Sequence, residues 1–285
     1  MHLFNPKKYK LAIFDLDGTL VTATPESHER MKERFITLLA EKTGQPIELV
    51  HDLFIDRQQQ MLTETEKHGL RSPDKRLACG LSDELILLSA TGHALTQIRP
   101  HSLNDEGWHD LIQSVYYPAY RELGFQIKDD AKIVLGRMNR AAFQIITNSP
   151  HEQVRQRLKD LTDRDPKLSW IADHVNGTAR KFIITDDHPT CVPLRDRIPG
   201  LNRYVFPRRS VYFDIAERLR LEREAAWDEV VVVGDIAELD LLMFVYLGAR
   251  VVLIKNARTL PHEIEFIKNL PNNQGLVVEH LTEIF

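Results

Sequence analysis

The sequence predicts an α/β protein. Its mainly parallel sheet carries helices on both faces, and an all-helical segment is inserted near the start. Three observations predict this class. From residue 129 onward, short apolar strands alternate with helical patterns, the rhythm of a parallel sheet buried on both sides. Between residues 21 and 127 the pattern is almost purely helical. Three of the strands end in polar clusters, at Asp15 and Asp17, at Thr147-Asn148-Ser149 and at Asp235. In an open sheet of parallel strands, ligands bind outside the carboxyl ends, where such clusters converge. The expected core is therefore an open, Rossmann-like sheet.

Leu11-Ala12-Ile13-Phe14 reads as a buried strand running into Asp15-Leu16-Asp17-Gly18-Thr19. Side chains alternate along a strand, so Asp15 and Asp17 share a face while Leu16 turns into the core. Residues 21–25 read as a loop, with Thr24 as N-cap and Pro25 at the first helical position. Met31, Phe35, Leu38 and Leu39 recur at helical spacing until Gly44. A second helical stripe runs from Leu49 to Leu62 and closes near Gly69. Residues 71–80 form a loop around Ser72-Pro73-Asp74, and 81–90 and 104–123 are helical. Beyond Asp129 the expected order is helix 131–140, strand 143–147, helix 151–159 and strand 181–185. A Pro- and Arg-rich loop over 190–202 and a short strand at 204–206 come next. Helix 210–224, strand 229–234, helix 237–247, strand 249–254, helix 260–268 and an edge strand at 276–278 complete the chain. The switch in pattern divides it into an α/β core domain, residues 1–20 and 128–285, and a helical cap, residues 21–127.

Composition narrows the function classes. With 285 residues, 43% hydrophobic and 27% charged, the chain is long enough for a packed core or two. A net charge of −4 with no basic block argues against a nucleic-acid backbone as partner. The helical segment 21–127 carries 16 Asp and Glu against 11 Lys and Arg, which suits a small substrate better than a polyanion. Apolar stretches such as 241–249 are too short to span a bilayer. Lys7, Lys8 and Lys10 precede an apolar run that Asp15 and Asp17 cut short, so no export signal is expected. Cys79 and Cys191, far apart, read as free thiols of a cytoplasmic protein, with a disulfide left open. Oligomeric state is not legible.

Two carboxylates one residue apart repel unless a cation, a proton or a phosphoryl group intervenes. The pair asks for a hard, oxygen-bound metal such as Mg²⁺, and it allows one carboxylate to attack while the other carries protons. The plain alternative is a strand ending in an Asx-type turn. Asp15-Leu16-Asp17-Gly18-Thr19-Leu20 resembles the first signature of the haloacid dehalogenase-like hydrolases, most of which are phosphatases. Phe143 to Ser149 resembles the second signature, although Ser149-Pro150 would also serve as an ordinary helix cap. Val230 to Asp240 resembles the fourth, with Asp235 as metal ligand, Asp240 in support and Glu238 as rival to Asp240.

The resemblance implies a Mg²⁺-dependent phosphomonoester hydrolase with a helical cap, acting on a small phosphorylated metabolite. Asp15 would form an aspartyl-phosphate and Asp17 would be the acid and base. Asp15, Asp235 and the Asp17 carbonyl would hold Mg²⁺, and Thr147, Asn148 and an arginine would place the phosphoryl group. The third signature departs from the family. Its lysine is expected just before helix 210–224, where the sequence reads Pro207-Arg208-Arg209. Arg208 or Arg209 is the expected substitute, and Lys181 the alternative, at what reads as the wrong end of a strand. A phosphomutase of the same fold, or a non-catalytic binding protein on this scaffold, is the rival. In the cap, His93, Arg99, His101 and Arg121 are candidate substrate contacts, each more often structural.

Overall fold

The computed structural model describes residues 9–65, 67–163 and 165–284, so the reading of residues 1–8 lies outside the described residues. In chain order the strands are β1 (Leu11–Phe14), β2 (Val21–Ala23), β3 (Leu70–Arg71), β4 (Leu77–Cys79), β5 (Phe125–Ile127) and β6 (Phe143–Ile146). Then come β7 (Val175–Asn176), β8 (Asp196–Arg197), β9 (Tyr204–Val205), β10 (Val230–Gly234), β11 (Arg250–Ile254) and β12 (Gly275–Val278). The α-helices are α1 (Pro25–Thr43), α2 (Ile47–Thr63), α3 (Glu84–Ala94), α4 (Asp105–Tyr120) and α5 (Asp129–Leu135). They continue as α6 (His151–Thr162), α7 (Ser210–Leu221), α8 (Leu242–Leu247) and α9 (Pro261–Lys268). The chain forms two compact units, Met1–Thr22 with Gln126–Phe285, and Ala23–Phe125.

The first unit is built on a six-stranded parallel sheet in the order β12-β11-β10-β1-β6-β7. β1 is central because it is apolar throughout and lies wholly buried between Val230–Gly234 and Phe143–Ile146. Leu11, Ile13, Val230, Val232, Val251 and Leu253 pack with Tyr212, Ala216 and Phe244 from the helices. All six strands run one way, so Asp15, Thr147 and Asp235 leave β1, β6 and β10 at the same edge.

In the second unit Phe35, Phe54, Trp108, Ile112 and Val115 form the core of a helical bundle. Thr24 caps α1 as expected, its hydroxyl accepting from Ser27 N at 3.3 Å. His93 is stacked on His109 inside this unit, and Arg99 pairs with Asp105 at 2.6 Å. His101 and Arg121 are exposed. No helix among the described residues is long and apolar enough to cross a membrane. Both cysteines are free, Cys79 buried and Cys191 exposed.

Several elements differ from expectation, among them β2 at Val21–Ala23, where a loop is expected, and α5, which ends at Leu135. The helical unit contains a small hairpin, β3 with β4, because the Ser72 turn closes two short apolar ends on each other. Residues 237–247 are one helix only from Leu242, since Ala237–Leu241 is a π-turn. Residues 181–185 are not a strand: the sheet edge is β7, and the chain turns away after it.

Candidate active site

The site grows from the carboxyl ends of β1 and β10. Gly18 lets them meet. Its φ of +80° suits glycine, and a Cβ there would lie 2.2 Å from Asp235 Oδ2. Asp235 is held by Thr19, whose hydroxyl donates to Oδ1 at 3.4 Å, and by Asn256, whose Nδ2 donates to Oδ2 at 3.2 Å. Asn256 lies just past β11 and belongs to none of the sequence motifs; its place after a parallel strand is the signal that would have found it. Asp17 accepts from the Ser149 hydroxyl at 3.3 Å. Ser149 is thus no helix cap: α6 starts after Pro150 and has no side-chain cap.

Lys181 lies at the centre. Its buried ammonium donates to Asp15 Oδ1 at 2.6 Å and to Asp240 Oδ1 at 2.8 Å, and it sits 4.9 Å from the Tyr212 ring centroid. The Tyr212 hydroxyl donates to the Asp240 carbonyl at 3.2 Å. A turn delivers this lysine. Gly177 passes so close to α6 that a Cβ would lie 2.5 Å from His151 Cα. Thr178 N donates to Ser149 O, Ala179 N to Thr147 O, and Lys181 N to Asn148 Oδ1 at 2.7 Å. The segment after β6 is therefore a template on which the lysine turn is laid. The Asn148 side-chain oxygen, expected to face a phosphoryl group, holds this turn instead.

Arg208 and Arg209 are not in that position. The Arg208 guanidinium donates to the carbonyls of Val192 and Asp186, and Arg209 Nη1 to those of Phe206 and Arg208. Both tie down the loop before α7, since main-chain carbonyls of that loop surround them. The cation beside Asp15 is Lys181, and the argument against it fails because no strand forms there.

Asp15 and Asp240 flank one ammonium, Asp235 lies within 4.8 Å of both carboxylates, and the Asp17 charge acts on Asp15. Burial works against the charge on Lys181, but Asp15 and Asp240 outweigh it and hold its pKa well above the ordinary lysine value. Burial pushes the Asp15 carboxyl up to about 8; Asp240 and Asp17 add to that, and Lys181 opposes it. One lysine does not balance the cluster. Carboxylate oxygens of Asp15, Asp235 and Asp240 lie within 4.8 Å of one another, an all-oxygen donor set of the kind a hard divalent cation takes. The residues fit Mg²⁺, with Asp240 beside Asp15 and Asp235.

No family model matches the chain, and no curated protein matches it. Solved structures do. A predicted phosphoglycolate phosphatase from Haemophilus somnus 129PT is 13% identical, with 97% of this chain and 96% of that one covered and a TM-score of 0.51. The chain shares the fold of that structure. Also similar are a phosphatase described as HAD from Thermococcus onnurineus (16% identity, 96% and 95% covered, TM-score 0.47) and a 2-haloacid dehalogenase from Pseudomonas syringae pv. tomato DC3000 (18%, 97% and 96%, TM-score 0.44). On this scaffold the segments that begin at Asp15, Thr147 and Asp235 all leave strands at one edge of the sheet.

Proposed function

We propose that the chain is a Mg²⁺-dependent phosphomonoester hydrolase that works through an aspartyl-phosphate on Asp15. The observation that carries this reading is the Lys181 ammonium held between Asp15 and Asp240. It supplies the cation whose absence from Pro207-Arg208-Arg209 favoured a non-catalytic scaffold. Asp15 keeps 11% of its side-chain surface, enough for an oxygen to reach an incoming phosphorus. That oxygen bonds to phosphorus as the ester bond breaks, and Asp17 gives its proton to the departing oxygen. Asp17 then takes a proton from water, the water oxygen attacks phosphorus, and Asp15 and inorganic phosphate separate. Asp15, Asp235 and Asp240 would hold Mg²⁺, which would supply positive charge against the phosphoryl oxygens. Ser149 orients Asp17, and Asn148 keeps Lys181 in place. A dehalogenase needs neither a second carboxylate at Asp17 nor a metal, so Asp17 and Asp235 count against it.

The test is hydrolysis of p-nitrophenyl phosphate by the full chain. Turnover is expected with Mg²⁺ and is expected to vanish with a chelator and return on Mg²⁺ addition. No turnover on this or any panel of phosphomonoesters overturns the reading.

A second measurement isolates Asp17. Proton donation matters most for a poor leaving group. Asp17→Asn is expected to lose about 10-fold or more activity on an alkyl phosphate beyond its loss on p-nitrophenyl phosphate. Equal losses would remove Asp17 as the acid of the first step.

A further inference from the structure

Residues 182–207, between the lysine turn and α7, have no role in the chemistry above. They carry the antiparallel hairpin β8–β9 and a small core of their own, in which Ile198, Leu201 and Val205 pack on Leu242 of α8, with Tyr246 and Phe266 alongside. Tyr246 donates its hydroxyl to Asp196 in the same hairpin. The segment is thus laid against the helix that succeeds the π-turn Ala237–Leu241.

That turn carries Asp240. Leu242 N donates to Ala237 O, five residues back, where an α-helix would bond four back. One extra residue rotates the start of α8 by about 100° around the helix axis. Asp240 Oδ2 accepts from Ile236 N at 3.1 Å while its Oδ1 meets Lys181. A π-turn is a rare conformation, and this one is gripped from outside. Glu263 accepts from Ala237 N at 3.0 Å. The Glu238 side chain, 1% exposed, is taken bidentately by Arg203, with Nη1 2.8 Å from Oε2 and Nη2 2.5 Å from Oε1. His262 Nε2 lies 3.8 Å from Glu238 Oε1 on the other side. Glu238, by sequence a rival of Asp240 for the supporting role, is paired instead with Arg203. Arg203 comes from the stretch just before β9, so the grip and the small core belong to one segment.

We propose that Arg203, through its two-pronged pair with Glu238, is a positioning residue that holds the π-turn in the register bringing Asp240 to Lys181 and Asp235. The 182–207 segment is a brace for the metal-binding edge of the site. Its consequence for catalysis rests on the phosphohydrolase reading; the brace itself does not. A planar, forked guanidinium fits this carboxylate in a way an ammonium cannot, so arginine holds the turn better than lysine would.

The experiment uses the full chain with Arg203→Met, Arg203→Lys and the double variant Arg203→Met/Glu238→Gln. The double variant removes both charges and so keeps the test open if the single methionine variant does not fold. Amide hydrogen exchange is measured on metal-free protein, and Mg²⁺ binding by calorimetry. In Arg203→Met, exchange over 236–242 is expected to rise at least about 10-fold relative to 230–234 and 250–254, with Mg²⁺ binding weakened by a similar factor. Arg203→Lys is expected to fall between wild type and Arg203→Met on both readouts. Exchange that rises no more in the turn than in β10 overturns the proposal. So does a loosened turn with unchanged Mg²⁺ affinity, since Arg203 would then be packing only. A wild type that binds no Mg²⁺ counts against the phosphohydrolase reading, and the exchange data alone then decide whether the brace exists.

Discussion

Asp15→Asn will leave the chain folded and end turnover, with a loss of about 10⁴-fold or more, the scale on which removal of a covalent nucleophile is felt. The amide has the shape of the carboxylate but no nucleophilic oxygen anion. The same variant should change how stability depends on pH in metal-free buffer. Burial pushes the Asp15 carboxyl from 3.8 up to about 8, against the pull of Lys181, so its ionised form is held in the fold at a cost. The native state keeps a proton there that the unfolded chain has already lost. The stability that this proton confers is fully present below about 3.8 and is lost as pH rises through about 8. The thermal stability of metal-free wild type should therefore fall as pH rises across that window, and Asp15→Asn should flatten the slope. Fluoroberyllate with Mg²⁺ should raise the melting temperature of wild type, as a ligand of the native state does, and leave the variant unmoved. Retained turnover in Asp15→Asn would end the covalent mechanism.

The parts of the site that could be read from the sequence are those written in local pattern. An apolar tetrad followed by Asp-Leu-Asp-Gly-Thr places Asp15 and Asp17 at a strand end, because side-chain alternation and a glycine turn are short-range properties. Four valines before Gly234-Asp235 do the same for β10. The same kind of reasoning ranks Lys181 only as the alternative to Arg208 and Arg209. Phe182-Ile183-Ile184-Thr185 is apolar and β-branched and reads as a strand, but the sheet edge was already taken by Val175–Asn176. The choice between them is tertiary: Gly177 passes α6 where no side chain fits, and the Asn148 side chain accepts Lys181 N. The π-turn was equally hidden. Ala237 to Leu247 has the apolar content of one continuous helix, and the inserted residue is supported by Arg203 and Glu263 from distant segments. Local pattern cannot report a conformation that exists because of remote partners.

Lys181→Met should reduce turnover by roughly 10³-fold, the upper range for removing a charge-assisted contact from a developing anionic centre. The methionine keeps the volume of the stem and deletes the charge. Asp15 and Asp240 are then left facing each other without the ammonium that lies 2.6 and 2.8 Å from them. Breaking a buried pair by removing one partner is strongly destabilising, on the order of 3–5 kcal/mol, so the metal-free variant should melt well below wild type. Mg²⁺ should raise its melting temperature more than it raises that of wild type, because the divalent cation replaces part of the missing charge. Lys181→Arg should not rescue turnover, since a planar fork cannot occupy the point position between two carboxylates and the Tyr212 ring. Arg208→Ala should stay within about threefold of wild-type turnover, because its guanidinium serves loop carbonyls rather than the site. Arg209→Ala, which empties a buried position, should lower stability more than rate. Turnover and melting curves of these four variants, with and without Mg²⁺, decide the matter. If Arg208→Ala loses the activity and Lys181→Met keeps it, the cation that serves the phosphoryl group comes from the arginine loop, and the pairing of Lys181 with Asp15 and Asp240 is only structural.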